Sequence, residues 1–281
     1  MVNQFLVLAL RYGGLAISCW PHSILTRRVV PPADEQAKIA AYLDQEASRI
    51  DTLISKKEQL IEKLLERRQA LITQVVTKGL DPNVPMKDSG VEWLGEVPED
   101  WEIVRLARLV NFHSGRDMEK ADFGPVPVYG SGGIFSWCEE PQNLSSSLSV
   151  LFGRKGTIDK PLLARGPFSC VDTMYWTSLS NDVEASFVYY LATCFPYAEI
   201  ATQTALPSMT SSALKAVKVP LPNLHTQLDI ISLLDRETSQ IDILVEKTRR
   251  AMELLKERRQ ALITQVVTGK IDVRGFAGGN S

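Results

Sequence analysis

The chain has no paired cysteines. Cys19, Cys138, Cys170 and Cys194 are scattered and form no Cys-x-x-Cys motif. A disulfide or zinc framework is therefore not expected, and a reducing compartment suits the chain better. Long hydrophobic runs are also lacking. Phe5 to Leu10 is apolar but too short to span a bilayer. No basic segment precedes it and Arg11 breaks it, so neither a signal peptide nor a membrane partner is expected, and the cytoplasm is the expected location. Neither sign of charge dominates: 31 Lys and Arg face 33 Asp and Glu, for a net charge of -2. Strong non-specific attraction to nucleic acid or lipid is not predicted. Histidine is scarce, and His22, His113 and His225 stand alone, so no metal site is predicted. Gly130-Ser131-Gly132-Gly133 lacks the lysine and helix of a phosphate-binding loop, and Ser131 lacks a nucleophile elbow. The neighbouring carboxylates Glu139-Glu140 and Asp117 with Glu119 read as solvated surface. No catalytic residue is assigned.

What the chain does have is a repeat. Glu66 through Thr77 returns letter for letter as Glu257 through Thr268, at an offset of 191 residues. Upstream, Pro31, Gln36, Ile39, Leu43, Asp44, Ile50, Asp51 and Leu53 recur as Pro222, Gln227, Ile230, Leu234, Asp235, Ile241, Asp242 and Leu244. A duplication of this length, flanking something unlike itself, dominates the organisation. The first copy reads as one helix from about Asp34 to Thr77. Pro31 and Pro32 lie outside its start, Asp34 is the candidate N-cap, and Gly79 and Pro82 are its stop signals. As a straight helix it would reach roughly 65 Å.

Apolar residues follow a heptad seam through Ala40, Leu43, Ala47, Ile50, Ile54, Ile61, Leu64, Leu71 and Val75, interrupted by Lys57 and Arg68. In the second copy the seam is Ile231, Leu234, Ile241, Val245, Met252, Leu255, Leu262 and Val266, interrupted by Thr238, Thr248 and Arg259. Such stripes bury themselves against a partner helix. Leu43, Ile50, Leu64 and Leu71, with Leu234, Ile241, Leu255 and Leu262, are the predicted pairing residues. The alternative is that each copy packs as an ordinary amphipathic helix on a globular core.

Between the copies the texture changes. Short β-forming runs at Trp101–Val104, Val126–Tyr129, Val150–Phe152 and Met174–Trp176 alternate with turn signals rich in Gly, Pro and Ser. Helices are expected over Val183–Cys194 and Thr210–Lys215. The fold class is α+β, a mixed domain of short strands flanked by two long helices that pair as an antiparallel coiled coil. The expected divisions are residues 1–30, a poorly ordered N-terminal segment; 31–79, the first helix; 80–222, the central domain; 223–270, the second helix; and 271–281, a flexible tail.

The positive candidates for binding lie in loops. Gly153-Arg154-Lys155-Gly156-Thr157 follows an apolar strand, with Lys160 and Arg165 nearby. A basic loop held by glycines brings cationic groups close to phosphates or guanine edges. Tyr129 and Ser131 could add stacking or hydrogen bonds. Gln203, Thr204, Ser208, Thr210, Ser211 and Ser212 form a third polar stretch. Each of these also reads as an exposed turn. From Asp88 to Pro222 there are ten Lys and Arg against sixteen Asp and Glu, so a nucleic-acid surface would have to be a segregated face.

Several motifs together resemble the specificity (S) subunit of type I restriction-modification systems. They are Met86 to Trp101, with Asp88-Ser89-Gly90 and Trp93-Leu94-Gly95; Pro127 to Ile134; Leu151 to Thr157; Ala205 to Met209; Val217 to Pro222; and Pro31 to Gln36 followed by Ile39-Ala40 and Leu43-Asp44. The resemblance implies two target recognition domains, each reading half of a split site on double-stranded DNA, held apart by two paired helices. It implies a non-catalytic chain that binds methyltransferase (M) and restriction (R) subunits, with S-adenosylmethionine, ATP and Mg carried only by those partners. The chain departs from the pattern in having one complete recognition domain, with residues 1–30 resembling the remnant of another. A random N-terminal extension explains those residues nearly as well. A homodimer related by a two-fold axis would restore two heads. The alternatives are an inactive or recombining truncated form, and a coiled-coil scaffold that binds no DNA.

Overall fold

A computed structural model of the chain describes residues 31–117, 123–202 and 207–276. The N-terminal segment 1–30, Glu119, Gln203 and Thr204 lie outside the described residues. The described chain divides into two compact units, one of residues 31–65 with 241–276 and one of residues 66–240. Two long helices, α1 (Ala33–Lys78) and α6 (Leu224–Val267), contribute to both.

In the smaller unit the two helices pair. Ile39 and Leu43 of α1 share a buried cluster with Ile263 and Val266 of α6. Further along α1, Asp51 meets Arg259 at 3.2 Å. Partner numbers fall along α6 as they rise along α1, so the pair is antiparallel. Ala47, Ile50, Ile241, Val245 and Met252 are buried in the same unit. Thr248, predicted to interrupt the seam, is also buried, with its hydroxyl donating to the Leu244 carbonyl. That bond removes the cost of enclosing an unpaired hydroxyl.

The buried stripe is offset from the predicted seam near both ends of each copy, and the predicted Ile54, Ile61, Leu64 and Leu255 are only half-buried. Ile39 and Ile230 are buried whereas Ala40 and Ile231 are half-buried; Ile72 and Ile263 are buried whereas Leu71 and Leu262 are half-buried. A helix of 3.6 residues per turn drifts against a strict heptad. An occasional double step of four, as at Ile39–Leu43–Ala47, brings the stripe back to the partner.

Residues 271–276, expected in a flexible tail, are packed. The Asp272 side chain accepts from the Arg274 amide, the Lys38 ammonium donates to the Arg274 carbonyl, and Phe276 stands edge-on to Tyr42 at 5.1 Å. Val273 is 5% exposed.

The larger unit carries the sheets. Strands β1 (Met86–Asp88) and β2 (Glu96–Pro98) pair antiparallel. Strand β3 (Glu102–Arg105) leads into the short α2 (Leu106–Leu109) and β4 (Val110–Ser114). Then follow β5 (Val126–Gly130), β6 (Gly133–Cys138), β7 (Leu148–Gly153), β8 (Leu162–Arg165), β9 (Ser169–Cys170) and β10 (Met174–Leu179). Helices α3 (Ala185–Ala192), α4 (Tyr197–Ile200) and α5 (Ser211–Ala216) and strand β11 (Lys218–Leu221) complete the unit.

The central sheet has the order β4-β10-β7-β8 with antiparallel neighbours, a second sheet has the order β6-β5-β9, and β11 pairs with β3. Five of the six positions of β7 are buried, as a middle strand covered on both faces requires. Phe152 of that strand shares a core with Phe187 and Leu191 of α3, Ile72, Val75 and Val76 of α1, and Ile230 and Leu234 of α6.

Polar bonds fix the start of α6. Gln227, fully buried, donates to the carbonyls of Pro222 and Asp182 and accepts from the Glu184 amide. Asn223 accepts from the Thr226 amide at 3.0 Å and caps the helix; His225 is exposed beside Asp229. The equivalent of Asn223 in the first copy is Pro32. Asp34, predicted as the cap there, lies inside the first turn of α1, where its charge favours the helix dipole.

Candidate nucleic-acid interface

Strand β7 ends on Gly153, where an added Cβ would lie 2.2 Å from the Thr157 carbonyl oxygen. Strand β4 is followed by Gly115, where an added Cβ would lie 2.0 Å from the Val171 oxygen. Only glycine permits these backbone approaches. Each is followed at once by an arginine, Arg154 and Arg116.

Arg154 is anchored by its backbone, which donates to Thr173 at 2.7 Å and accepts from Met209 at 2.9 Å. Its guanidinium donates to the Asp172 carbonyl at 3.4 Å and lies 5.9 Å from the Tyr175 ring centroid. Lys155 is exposed, and the Gly156 amide donates to the Pro207 carbonyl. The Ser131 hydroxyl lies 3.3 Å from the place a Cβ would take on Gly156. The 131, 154–156, 172–173 and 207–209 loops therefore meet at one end of the domain, though they are far apart in sequence.

The predicted residues divide accordingly. Ser131, Arg154 and Lys155 converge. Lys160 is exposed just before β8, whose Leu162 pairs with Leu151, so it lies towards the same end of the sheet. Arg165 does not join them. It pairs across from Leu148, at the opposite end of β7, roughly 17 Å along the strand from Gly153. Sequence proximity misled here because the chain reverses between β7 and β8.

Tyr129 is not a free stacking platform. Its ring is half-buried and edge-on to Phe168 at 6.0 Å. Desolvation, and secondarily the nearby Cys170, raise its phenol above the ordinary range. Of the third polar stretch, Thr210 caps α5 by accepting from the Ala213 amide, and Ser208 bonds to Thr202.

Arg116 was missed. It is exposed, and its amide donates to the Cys170 carbonyl at 3.0 Å. The signal that could have found it is the strand-Gly-Arg pattern shared by Ser114-Gly115-Arg116 and Phe152-Gly153-Arg154. Asp117 and Asp159 stand beside Arg116 and Lys160 in sequence, and Asp172 lies next to the Arg154 guanidinium, so the surface is one of mixed charge. The geometry suits bonding to phosphates and base edges at a few fixed points rather than general attraction to a polyanion. Among the described residues no group of three or more His, Cys, Asp or Glu is placed to hold a metal ion, and no helix is long and apolar enough to cross a membrane.

Comparison with solved structures identifies the fold class. A chain from a study of complex assembly and conformational transition in the type I R-M system superposes with a TM-score of 0.71 at 18% identity, covering 95% of this chain and 71% of that one. The HsdS subunit from Thermoanaerobacter tengcongensis gives a TM-score of 0.55 at 17% identity, covering 95% of this chain and 70% of that one. At these identities the likeness speaks for the fold alone. The family model for the type I restriction modification DNA specificity domain matches residues 98–251, and the chain belongs to that family. It is also similar to the type I restriction enzyme MjaVIII specificity subunit of Methanocaldococcus jannaschii, at 26% identity over 88% of this chain. The match spans 62% of that relative's length.

Proposed function

We propose that the chain is a DNA-specificity subunit of a type I restriction-modification assembly. Its central domain reads one half of a split site on double-stranded DNA, and its paired helices hold the methyltransferase subunits, with restriction subunits joining the complex. The chain itself is not catalytic. S-adenosylmethionine, ATP and Mg belong to the partner subunits, and the assembly works on cytoplasmic DNA.

The observation that carries the reading is the family match over residues 98–251, which spans the domain whose loops gather Arg116, Ser131, Arg154 and Lys155. A second head is supported by the repeat. Ile72, Val75, Ile230 and Leu234 share a core with the central domain. Their repeat equivalents Ile263, Val266, Ile39 and Leu43 form a matching cluster covered by the tail residue Val273. A two-fold dimer would seat a second head there, and sedimentation of the purified chain tests that state.

The decisive experiment combines the chain with its methyltransferase subunit and S-adenosylmethionine on a duplex pool. Methylation at one sequence is expected, and its absence defeats the reading. Binding should weaken steeply with salt, and Arg154→Gln or Lys155→Gln should each lower the slope of log affinity against log salt by about 1. The rival scaffold reading rests on the net acidity of the central domain and predicts negligible binding even at low salt.

A further inference from the structure

The β5–β6 hairpin exposes large apolar side chains that the core does not use. Ile134 is 54% exposed, Phe135 46% and Trp137 42%. Regular alternation along β6 would turn Ile134 and Phe135 to opposite faces. Here Val128 pairs with Ser136 and Tyr129 with Ile134, leaving Phe135 as the extra residue of a β-bulge. Both side chains are exposed as a result, one after the other, close to the tip. Bulges commonly re-aim side chains beside functional sites.

The tip is continuous with the basic loops. Its Ser131 hydroxyl lies 3.3 Å from the place a Cβ would take on Gly156, and the Val171 amide donates to the Tyr129 carbonyl at 3.0 Å. Gly156 follows Arg154 and Lys155 directly, and Val171 bridges to Arg116. Two apolar side chains therefore project beside the cations that the DNA reading uses. The exposed area of Ile134, Phe135 and Trp137 is on the order of 300 Å², well below the ~800 Å² per partner of a stable protein interface. A DNA major groove is wide enough for a two-stranded ribbon and presents one apolar group, the thymine methyl.

We infer that the bulged hairpin enters the major groove and that Ile134 and Phe135 read thymine methyl groups, while the neighbouring cations hold the phosphates. This rests on the DNA-specificity reading and names the part of the domain that discriminates bases. Apolar base contacts release no counterions, so they add to sequence preference without adding to the salt slope.

The test uses the full chain with its methyltransferase subunit. A duplex is first selected from a randomised pool by the unaltered protein. Affinity for that duplex and for a scrambled one is then measured across a salt series, for the unaltered chain and for Ile134→Ser/Phe135→Ser. The double variant should lose about tenfold or more in the ratio of specific to scrambled affinity, with the salt slope unchanged. Deoxyuridine, which lacks the methyl, is then substituted for each thymine in turn. At one or two positions it should weaken the unaltered chain several-fold and leave the variant indifferent. Phe135→Leu should restore part of the preference, and thermal melts should match because both side chains are exposed. An unchanged ratio, a reduced salt slope, indifference of the unaltered chain to deoxyuridine, or loss of the methyltransferase subunit instead of DNA preference would each overturn the inference. If the unaltered chain selects no duplex at all, the specificity reading falls, and the inference with it.

Discussion

Leu43 and Leu234 occupy equivalent positions in the two repeat copies, and both are fully buried, yet they stand in different units. Leu43→Ala removes a side chain packed among Ile39, Ile263, Val266 and Val273. Buried Leu→Ala changes cost about 2–5 kcal/mol, depending on how far the site collapses. The cover supplied by Val273 belongs to a short tail that can settle inward, so we expect about 3 kcal/mol. At 1.4 kcal/mol per decade, amides protected by opening of that unit should exchange roughly 100-fold faster.

The repeat supplies an internal control. Glu66–Thr77 and Glu257–Thr268 are identical in sequence, so their intrinsic exchange rates match across the shared residues. Peptides that begin one residue upstream, at Leu65 or at Lys256, distinguish the copies by mass. Leu43→Ala should accelerate exchange at Ile263–Val266 and spare Ile72–Val76, whereas Leu234→Ala should do the reverse. Equal acceleration in both copies, or less than about fivefold in the affected one, would refute the assignment of these leucines to separate cores.

Asn223→Ala removes the cap at the start of α6 and should cost about 1 kcal/mol, read as a lower urea midpoint with unchanged slope; no shift would mean that water replaces the cap without loss. Cys170 is buried and its thiol is pushed up to about 12. At pH 8 it should resist iodoacetamide until the domain unfolds, while the partly exposed Cys138 is labelled; equal labelling rates would contradict the packing. The hydrogen bond from the Arg274 side chain, helped by its amide, lowers the Asp272 carboxyl to about 2. A depressed carboxylate stabilises the fold above its unfolded value of ~3.9 and loses that contribution as pH falls towards 2. The Asp272 carboxyl should therefore titrate near 2 by NMR, and a midpoint near 4 would mean that the tail turn does not persist. The Arg259–Asp51 pair, with Arg259 half-buried and Asp51 exposed, should contribute on the order of 1 kcal/mol in a double-mutant cycle.

Much of the fold was legible because its signals are local and repeated. The stop at Gly79 is realised by its amide donating to the Val75 carbonyl, and the apolar run at Val150–Phe152 lies within the buried β7. The packing of residues 271–276 was not legible because the face that buries Val273 joins Ile263 and Val266, close in sequence, to Ile39 and Leu43, more than two hundred positions away. Within the candidate interface the glycine-held basic loop at Arg154 and Lys155 stood out in sequence. The exclusion of Arg165 and the inclusion of Arg116 did not, since strand pairing decides which end of a sheet a residue occupies.

The sequence by itself determined the duplicated helices, the stripe that pairs them, and the change of texture that marks the central domain. These follow from periodicity and backbone chemistry, which act over a few residues. Only the tertiary structure decided which loops share one end of the domain, that a bulge turns Ile134 and Phe135 outward together, and that Tyr129 is enclosed rather than offered. Those outcomes depend on strand order and register, which are set by which faces bury together across the whole domain.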